Sequence, residues 1–456
     1  MKKKIVILGA GISGLTTAFW FEKNKHDFVI LEKEKQVGGS MQTSRKDGFQ
    51  IDYGPNSGLE TTPLIRQIVD EIGFSNQMIY ASESANKRYI LRNSQLHALP
   101  TSPSAFFTTK LFSTSAKLRL FAEPFIGKSA DGYYQSMSKF VSRRLGREFL
   151  DYAIDPFVSG VFAGDPNKLS VKSAFPKLYR LEEVYGGLIK GMIKGAKERK
   201  KRAEQSKQNA KMFSFINGMQ SFAAKLSETI KDKILFDSKV ESISKQDKKW
   251  KVIFNSNGKT NELLADAVVS TIPVYEAVKL FSSVDSEFKN HANSIYYPPV
   301  MVLYLGYNKT QIQTPLDGFG FLIPSKEKKN FLGAIWSSSI FPNRCDDDKA
   351  AFTLFVGGAR APYLFEMGNQ MLIEVVIKEF QDIMKINGNP ILIEHKLWQK
   401  AIPQYNIGYI EHENYFDKFE KENLGIILSG NYRGGISVGD CIKNSELSYQ
   451  RAIKNI

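Results

Sequence analysis

The chain has 456 residues, 42% of them hydrophobic and 24% charged, a balance that suits two or three globular domains and sets general disorder aside. Its two cysteines, Cys345 and Cys441, lie far apart and its five histidines (His26, His97, His291, His395, His412) are scattered, so neither a disulfide framework nor a metal site is expected. The formal net charge of +15 suits nucleic acid, an anionic membrane or an acidic substrate; with no zinc-finger, RNA-recognition or basic-zipper pattern, nucleic acid ranks last.

Met1–Lys4 followed by the apolar run Ile5–Phe21 imitates a secretion signal. Gly9, Gly11, Ser13 and Gly14 interrupt that run, and no small-residue cleavage site follows. A first strand and first helix are expected instead. No other run approaches the ~20 apolar residues of a transmembrane helix, so a cytoplasmic chain, free or resting on a membrane, is expected.

Lys4–Leu8 reads as a strand buried on both faces. It runs into Gly9-Ala10-Gly11-Ile12-Ser13-Gly14 and a helical stretch, Leu15–Lys23. A second strand, Phe28–Leu31, ends at Glu32 and Lys33. Gly9 suits the tight turn, Gly11 lets backbone approach a pyrophosphate, and Gly14 lets helix and strand pack closely. The helix N-terminus offers free N–H groups to phosphate, and Glu32 is placed to accept hydrogen bonds from ribose. Next, Gly38-Gly39-Ser40 with Arg45 resembles the GG motif of amine oxidase and phytoene desaturase flavoproteins. In those families the segment matching Asp52-Tyr53-Gly54-Pro55-Asn56-Ser57 lies against the flavin. The resemblance implies non-covalent FAD rather than NAD.

From about residue 90 to 212 the pattern is helical and aromatic. Phe106, Phe107, Leu111, Leu118, Phe121 and Phe125 recur at helix-like spacing among Lys110, Lys117 and Arg119, as suits either a basic membrane-lying helix or a buried one. Lys190–Lys211 reads as a solvated basic helix. Strands are expected again at Lys239–Ser244, Lys248–Phe254 and Ala267–Ile272, with the Val240 backbone near an adenine. Further strands are expected at Val300–Tyr307, Phe319–Ile323, Phe331–Trp336 and Phe352–Val356, with a long helix at Gln370–Lys385. Leu424–Leu428 reads as a strand. After it, Gly430–Asp440 opens a last helix whose N-terminus, at Ile436, Ser437 and Val438, is suited to stabilise charge on a flavin pyrimidine.

The chain also resembles the protoporphyrinogen oxidases of haem biosynthesis. The resemblance rests on Asp52–Ser57, Lys87–Ile90, Leu96–Pro100, Pro156–Asp165, Leu169-Ser170, Phe341–Arg344, Phe355–Gly358 and Gly430–Gly439. It implies an α/β plus α architecture in three parts. These are a discontinuous Rossmann-type FAD domain (1–90, 213–290, 396–456), a helical membrane-binding insertion (91–212) and a mixed-sheet substrate domain (291–395). Arg88 matches an arginine that faces a substrate propionate. Gly160, Phe162 and Gly164 match the pocket wall, and Leu322, Ile335 and Phe355 match residues that sandwich the tetrapyrrole. Asn56 stands where some relatives carry arginine, and Trp398 joins the expected flavin contacts.

The function this implies is FAD-dependent oxidation of protoporphyrinogen to protoporphyrin in three two-electron steps, with no protein acid or base assigned. Oxygen or a membrane quinone is the expected acceptor, and attachment to the inner face of the cell membrane and a homodimer are compatible. Coproporphyrinogen oxidation is the nearest alternative. An amine oxidase and a non-catalytic escort protein on the same fold are more distant ones.

Overall fold

The computed structural model describes residues 3–130, 132–195 and 210–455. Five parallel strands form its nucleotide-type sheet, in the order Ile234–Leu235, Asp27–Leu31, Lys4–Leu8, Ala267–Ser270 and Ile426–Leu428. They come from three distant parts of the chain. Side chains of a strand alternate between faces, and the first strand shows it: Ile5 and Ile7 enter one core, Val6 and Leu8 another. The Ile5 side is closed by the first helix, Ile12–Lys23, and the last, Val438–Lys454. On the Val6 side, Trp250, Val252 and Phe254 of an antiparallel three-stranded sheet complete the core.

A second, seven-stranded sheet runs in the order Leu392–Trp398, Val300–Asn308, Lys349–Gly357, Gly333–Ile335, Gly320–Leu322, Arg88–Arg92 and Gln95–Ala98. Its single parallel pair joins Gly320–Leu322 to Arg88–Arg92. Leu303, Leu305, Phe321, Phe352 and Leu354 line one face, covered by the helix Asn369–Met384 through Leu372, Val376 and Phe380. The opposite face carries the candidate site. Bounds drawn at residues 90 and 395 therefore cut two strands of this sheet. The hairpin Arg88–Ala98 precedes the helical stretch and pairs with a strand more than 200 residues away, which composition does not reveal.

The stretch Phe106–Phe125 is three short pieces, Pro103–Thr108, Thr114–Arg119 and a 3₁₀ turn Leu120–Phe125, rather than one helix. Ser102 and Ser113 each cap a new piece, and Pro124 denies the last an amide donor. Leu111 is buried beside Phe112 and Phe149, whereas Phe107, Leu118, Phe121 and Phe125 are exposed, Phe125 by 89%. Beneath them lies Arg144, fully buried, which binds Glu123 and Glu182 at 3.0 and 2.6 Å. Of the basic stretch Lys190–Lys211, the helix Leu188–Lys194 is described and most of the remainder lies outside the described residues. No helix among the described residues is long and apolar enough to cross a membrane.

Candidate active site

The glycine turn sits at the end of the first strand, as its sequence context demands. Gly9 has φ +91°, a conformation that side chains oppose. A Cβ on Gly14 would fall 1.9 Å from the Gly9 carbonyl oxygen, so helix and turn touch. Gly11, by contrast, faces open space, and the first helix starts there without a side-chain cap or an acid in its first turn. Its free N–H groups leave room and charge complementarity for a pyrophosphate. Ala10, Ile12 and Ser13 complete the turn. Glu32, buried, accepts from the N–H groups of Ala10 (2.6 Å) and Glu34 (2.9 Å). Ser238 N–H donates to the Glu32 carbonyl, bringing Val240 to the same end of the sheet. Lys33 pairs with Glu276 at 3.4 Å on the surface beside it.

The second glycine pair docks directly on the first turn, because Gly38 N–H donates to the Ala10 carbonyl at 2.9 Å. A Cβ on Gly54 would lie 1.9 Å from the Ser40 carbonyl oxygen, so the segment Asp52–Ser57, with Pro55 and Asn56, is packed onto Gly39 and Ser40. Trp398 donates from its ring N–H to the Tyr53 carbonyl at 2.7 Å and lines an open cleft of about 430 Å³ with Tyr275, Glu276 and Lys400. From the other end comes the last helix. Ser437 caps it, its Oγ accepting from Asp440 N–H while Asp440 accepts from Ser437 N–H, with Ile436 half-buried just before. Gly430 and the turn after it are held by Tyr405 and Tyr409, whose hydroxyls donate to the Asn431 and Tyr432 carbonyls.

Strand register assembles the third part. One row of directly paired residues is Arg88, Gly320, Ile335, Thr353 and Tyr304; the next is Ile90, Leu322, Gly333, Phe355 and Val302. Direct partners and residues two apart share a face, so Arg88, Leu322, Ile335 and Phe355 lie on one face although 267 positions separate the first from the last. Arg88 is exposed, stands 5.0 Å from the Phe319 ring centre and has no carboxylate partner among the described residues. Desolvation by the surrounding protein lowers its pKa.

Across from these rows runs the helix Asp155–Phe162. A Cβ on Gly160 would lie 2.5 Å from a Leu322 methyl, so the wall approaches the sheet as closely as backbone allows. Gly164 follows, pinned beside Gln404, which donates to the Phe162 carbonyl. Phe162 itself departs from expectation. Its ring is buried against Phe175 and Tyr405 in the main core, because its neighbours in the helix turn place it on the inner side.

Three residues make contacts that the sequence reading did not assign. Buried Asp155 binds Arg360 at 2.6 Å and Ser325 N–H at 2.7 Å, tying the wall helix to loops beyond Phe355 and Leu322. Lys396 lies between Gln42 and the Trp398 ring, and burial lowers its pKa. Arg344 is buried beside Asp52, within the Phe341–Arg344 motif. Each acts across hundreds of residues, so no local signal marks it.

Residues 12–446 match the family of flavin-containing amine oxidoreductases, and the chain belongs to that family. It is an FAD-dependent oxidoreductase. Within the family it is similar to protoporphyrinogen oxidase 2 of Arabidopsis thaliana, with 34% identity over 96% of this chain and 92% of that one. It is 27% identical to coproporphyrinogen III oxidase of Bacillus subtilis, over 99% of this chain and 98% of that one. Its fold matches the crystal structure of a putative protoporphyrinogen oxidase from Exiguobacterium, with a TM-score of 0.79, 21% identity and 99% and 98% of the two chains covered. A putrescine oxidase matches with a TM-score of 0.69.

Proposed function

We propose that the chain oxidises a porphyrinogen to its porphyrin, with protoporphyrinogen as the preferred substrate. The observation that carries this reading is the shared sheet face, where a broad apolar surface of Leu322, Ile335 and Phe355 meets the guanidinium of Arg88. A tetrapyrrole with carboxylate tails needs both. Asn56, neutral, stands in the flavin-facing segment where some relatives carry arginine, so it does not supply a second propionate cation. The curated relatives named protoporphyrinogen oxidase support the choice of protoporphyrinogen.

In this reading Gly9–Gly14 and the first helix hold the FAD pyrophosphate, and Glu32 with Lys33 and Val240 holds the adenosine end. Gly38–Ser40, Gly54–Ser57, Trp398, Gly430 and Ile436–Val438 surround the ring system. The bound flavin supplies a hydride acceptor. The protein's own work is orientation: Arg88 fixes one edge of the ring, and the apolar face and Gly160 fix its plane. Turnover of the reduced enzyme falls to oxygen or a quinone. The exposed Phe107, Leu118, Phe121 and Phe125, set among lysines and arginines, support attachment to an anionic membrane, the inner face of the cell membrane in a cytoplasmic protein; a homodimer is compatible. The test is a direct comparison of protoporphyrinogen and coproporphyrinogen by fluorescence-detected porphyrin formation. A higher kcat/KM for coproporphyrinogen overturns the substrate choice.

A further inference from the structure

Behind the flavin-facing segment lies a small buried cavity of about 10 Å³, room for one water. Gln50, Asp52, Asn56, Tyr304, Ile335, Ser337, Arg344 and Thr353 line it among others. Three buried donors among the lining residues lack a partner among the described residues: Gln50 Nε2, Asn56 Nδ2 and the Tyr304 hydroxyl. Gln50 is 2% exposed and Tyr304 1%, so bulk water does not reach them. The orientation of the Gln50 amide is fixed by Arg45, which donates to its oxygen at 2.9 Å and leaves the amide nitrogen toward the cavity. Leaving such donors unmet costs about 1–3 kcal/mol each.

The charges make the same point. Asp52 and Arg344 are 4% and 2% exposed, yet no direct ion pair joins them among the described residues. Arg344 donates instead to Ser214 Oγ (2.6 Å) and the Phe215 carbonyl, while Asp52 accepts from Thr43 Oγ1 (2.6 Å) and Met219 N–H (3.1 Å). A polar, water-sized gap bordered by both is where a water belongs. The gap also adjoins the substrate face. Ile335 lines both, and Thr353 and Tyr304 continue the paired row that starts at Arg88.

We propose that this cavity binds one water, bridging Asp52 to Arg344, and that the hydrated pair receives the proton released at each oxidation step. This rests on the porphyrinogen reading. In each step a ring carbon gives up a hydride, which the flavin would accept, and a pyrrole N–H gives up a proton; over three steps one further carbon-bound hydrogen moves to nitrogen by imine–enamine tautomerisation, so the porphyrin keeps two N–H. The water gains that proton and passes one of its own to the Asp52 carboxylate. The Thr43 hydroxyl, half-buried and donating to the ionised carboxylate, then turns to accept the proton from Asp52 and gives its own to bulk water, and Asp52 is ready for the next step. Each electron pair would pass to the flavin and on to the oxygen or quinone that reoxidises it before the next step.

Burial raises the Asp52 pKa more than Arg344, Thr43 and Met219 lower it, which makes it a better proton acceptor than an exposed carboxylate. The other titratable groups around the cavity are Tyr304, whose pKa burial pushes upward, with Cys345 beside it and Arg45 near Arg344. Burial pushes the Cys345 thiol up as well, so neither it nor Tyr304 gives up a proton to Asp52.

The experiment combines a high-resolution crystal structure of the FAD-loaded protein with anaerobic single-turnover flavin reduction by protoporphyrinogen across pH. The structure is expected to show a water within hydrogen-bond reach of Asp52, Tyr304 and Gln50. Asp52→Asn is expected to slow flavin reduction by about 100-fold and to abolish the decline that wild type shows toward acid pH. If Asp52→Asn fails to fold, Tyr304→Phe and Gln50→Leu carry the test: a displaced water and slower reduction, at unchanged FAD content, are expected. A dry cavity, or folded variants with the wild-type rate and pH profile, overturns the proposal. A wild type that oxidises neither porphyrinogen fails the substrate reading instead, and the proton route falls with it.

Discussion

Glu32 Oε2 accepts a 2.6 Å hydrogen bond from the Ala10 N–H, tying the end of the second strand to the middle of the glycine turn. The carboxylate expected to meet a ribose thus also holds the loop expected to meet the pyrophosphate. Glu32→Ala should weaken FAD binding twice over, through lost hydrogen bonds to ribose and through a loosened turn. Charge-assisted hydrogen bonds are worth roughly 1.5–3 kcal/mol each, so a loss of at least tenfold in FAD affinity is expected. Flavin absorbance after purification and titration with FAD checks it, and Glu32→Gln should retain part of the affinity.

Gly14 and Gly11 separate folding from binding. A methyl on Gly14 meets the Gly9 carbonyl at 1.9 Å, a backbone atom that cannot step aside. Gly14→Ala should therefore cost more than the 1–3 kcal/mol typical of overpacking and lower the melting temperature even without FAD. Gly11→Ala adds its methyl to open space, so the apo protein should melt as wild type does while FAD retention falls. Melting curves with and without added FAD distinguish the two.

How much of this was legible in the sequence depends on range. The first strand, the glycine turn and Glu32 are local features, and Lys4–Leu8 and Glu32 fall where periodicity places them. The face shared by Arg88, Leu322, Ile335 and Phe355 is set by register between distant strands, which hydrophobic alternation alone does not encode. The Phe106–Phe125 stretch misled for a different reason. Its apolar spacing suits a helix, but Ser113 and Pro124 divide it, and Leu111 turns inward while Phe121 and Phe125 turn out. The Arg344 and Asp155 contacts have no periodic signature at all.

The helical region should be held together by the Arg144 cluster. Burial alone would raise the Glu182 pKa, but bonds from Ser129 N–H, Arg143 and Arg144 outweigh it and hold the carboxyl below its ordinary value. A depressed folded pKa contributes stability above the unfolded value of about 4.3 that is lost as pH falls through the folded one. Arg144→Met leaves Glu123 and Glu182 buried without their main cation, a change that typically costs about 3–5 kcal/mol. Urea melts at pH 7 should show this loss, and the gap between wild type and variant should narrow as pH falls through the depressed folded pKa of Glu182.

The surface above that cluster is the candidate membrane contact. Liposome flotation with anionic vesicles should fall as salt rises, since screening shortens the reach of surface charge. Replacing Phe121 and Phe125 together by Ser should weaken flotation at every salt concentration without lowering the melting temperature, because both rings are exposed. Equal flotation on neutral vesicles would remove the electrostatic part of the attachment.

Arg88 offers the sharpest test of the substrate face. Its guanidinium has no carboxylate partner among the described residues and stands over Phe319, in the same row as Ile335, so it is available to an incoming propionate. An arginine fork binds a carboxylate with two parallel hydrogen bonds, which fixes the direction of the ring as well as its affinity. Without that anchor the donor carbon is misplaced relative to the flavin, and small misplacements cost about 100-fold in rate. Arg88→Ala should keep FAD and melt like wild type, because no buried partner depends on the side chain. Its porphyrinogen turnover should nevertheless fall by roughly that factor, with a raised KM. Arg88→Lys keeps the charge but not the fork and should recover only part of the loss. Steady-state porphyrin fluorescence with matched FAD occupancy decides the matter: an Arg88→Ala enzyme as fast as wild type would show that the propionates are held elsewhere.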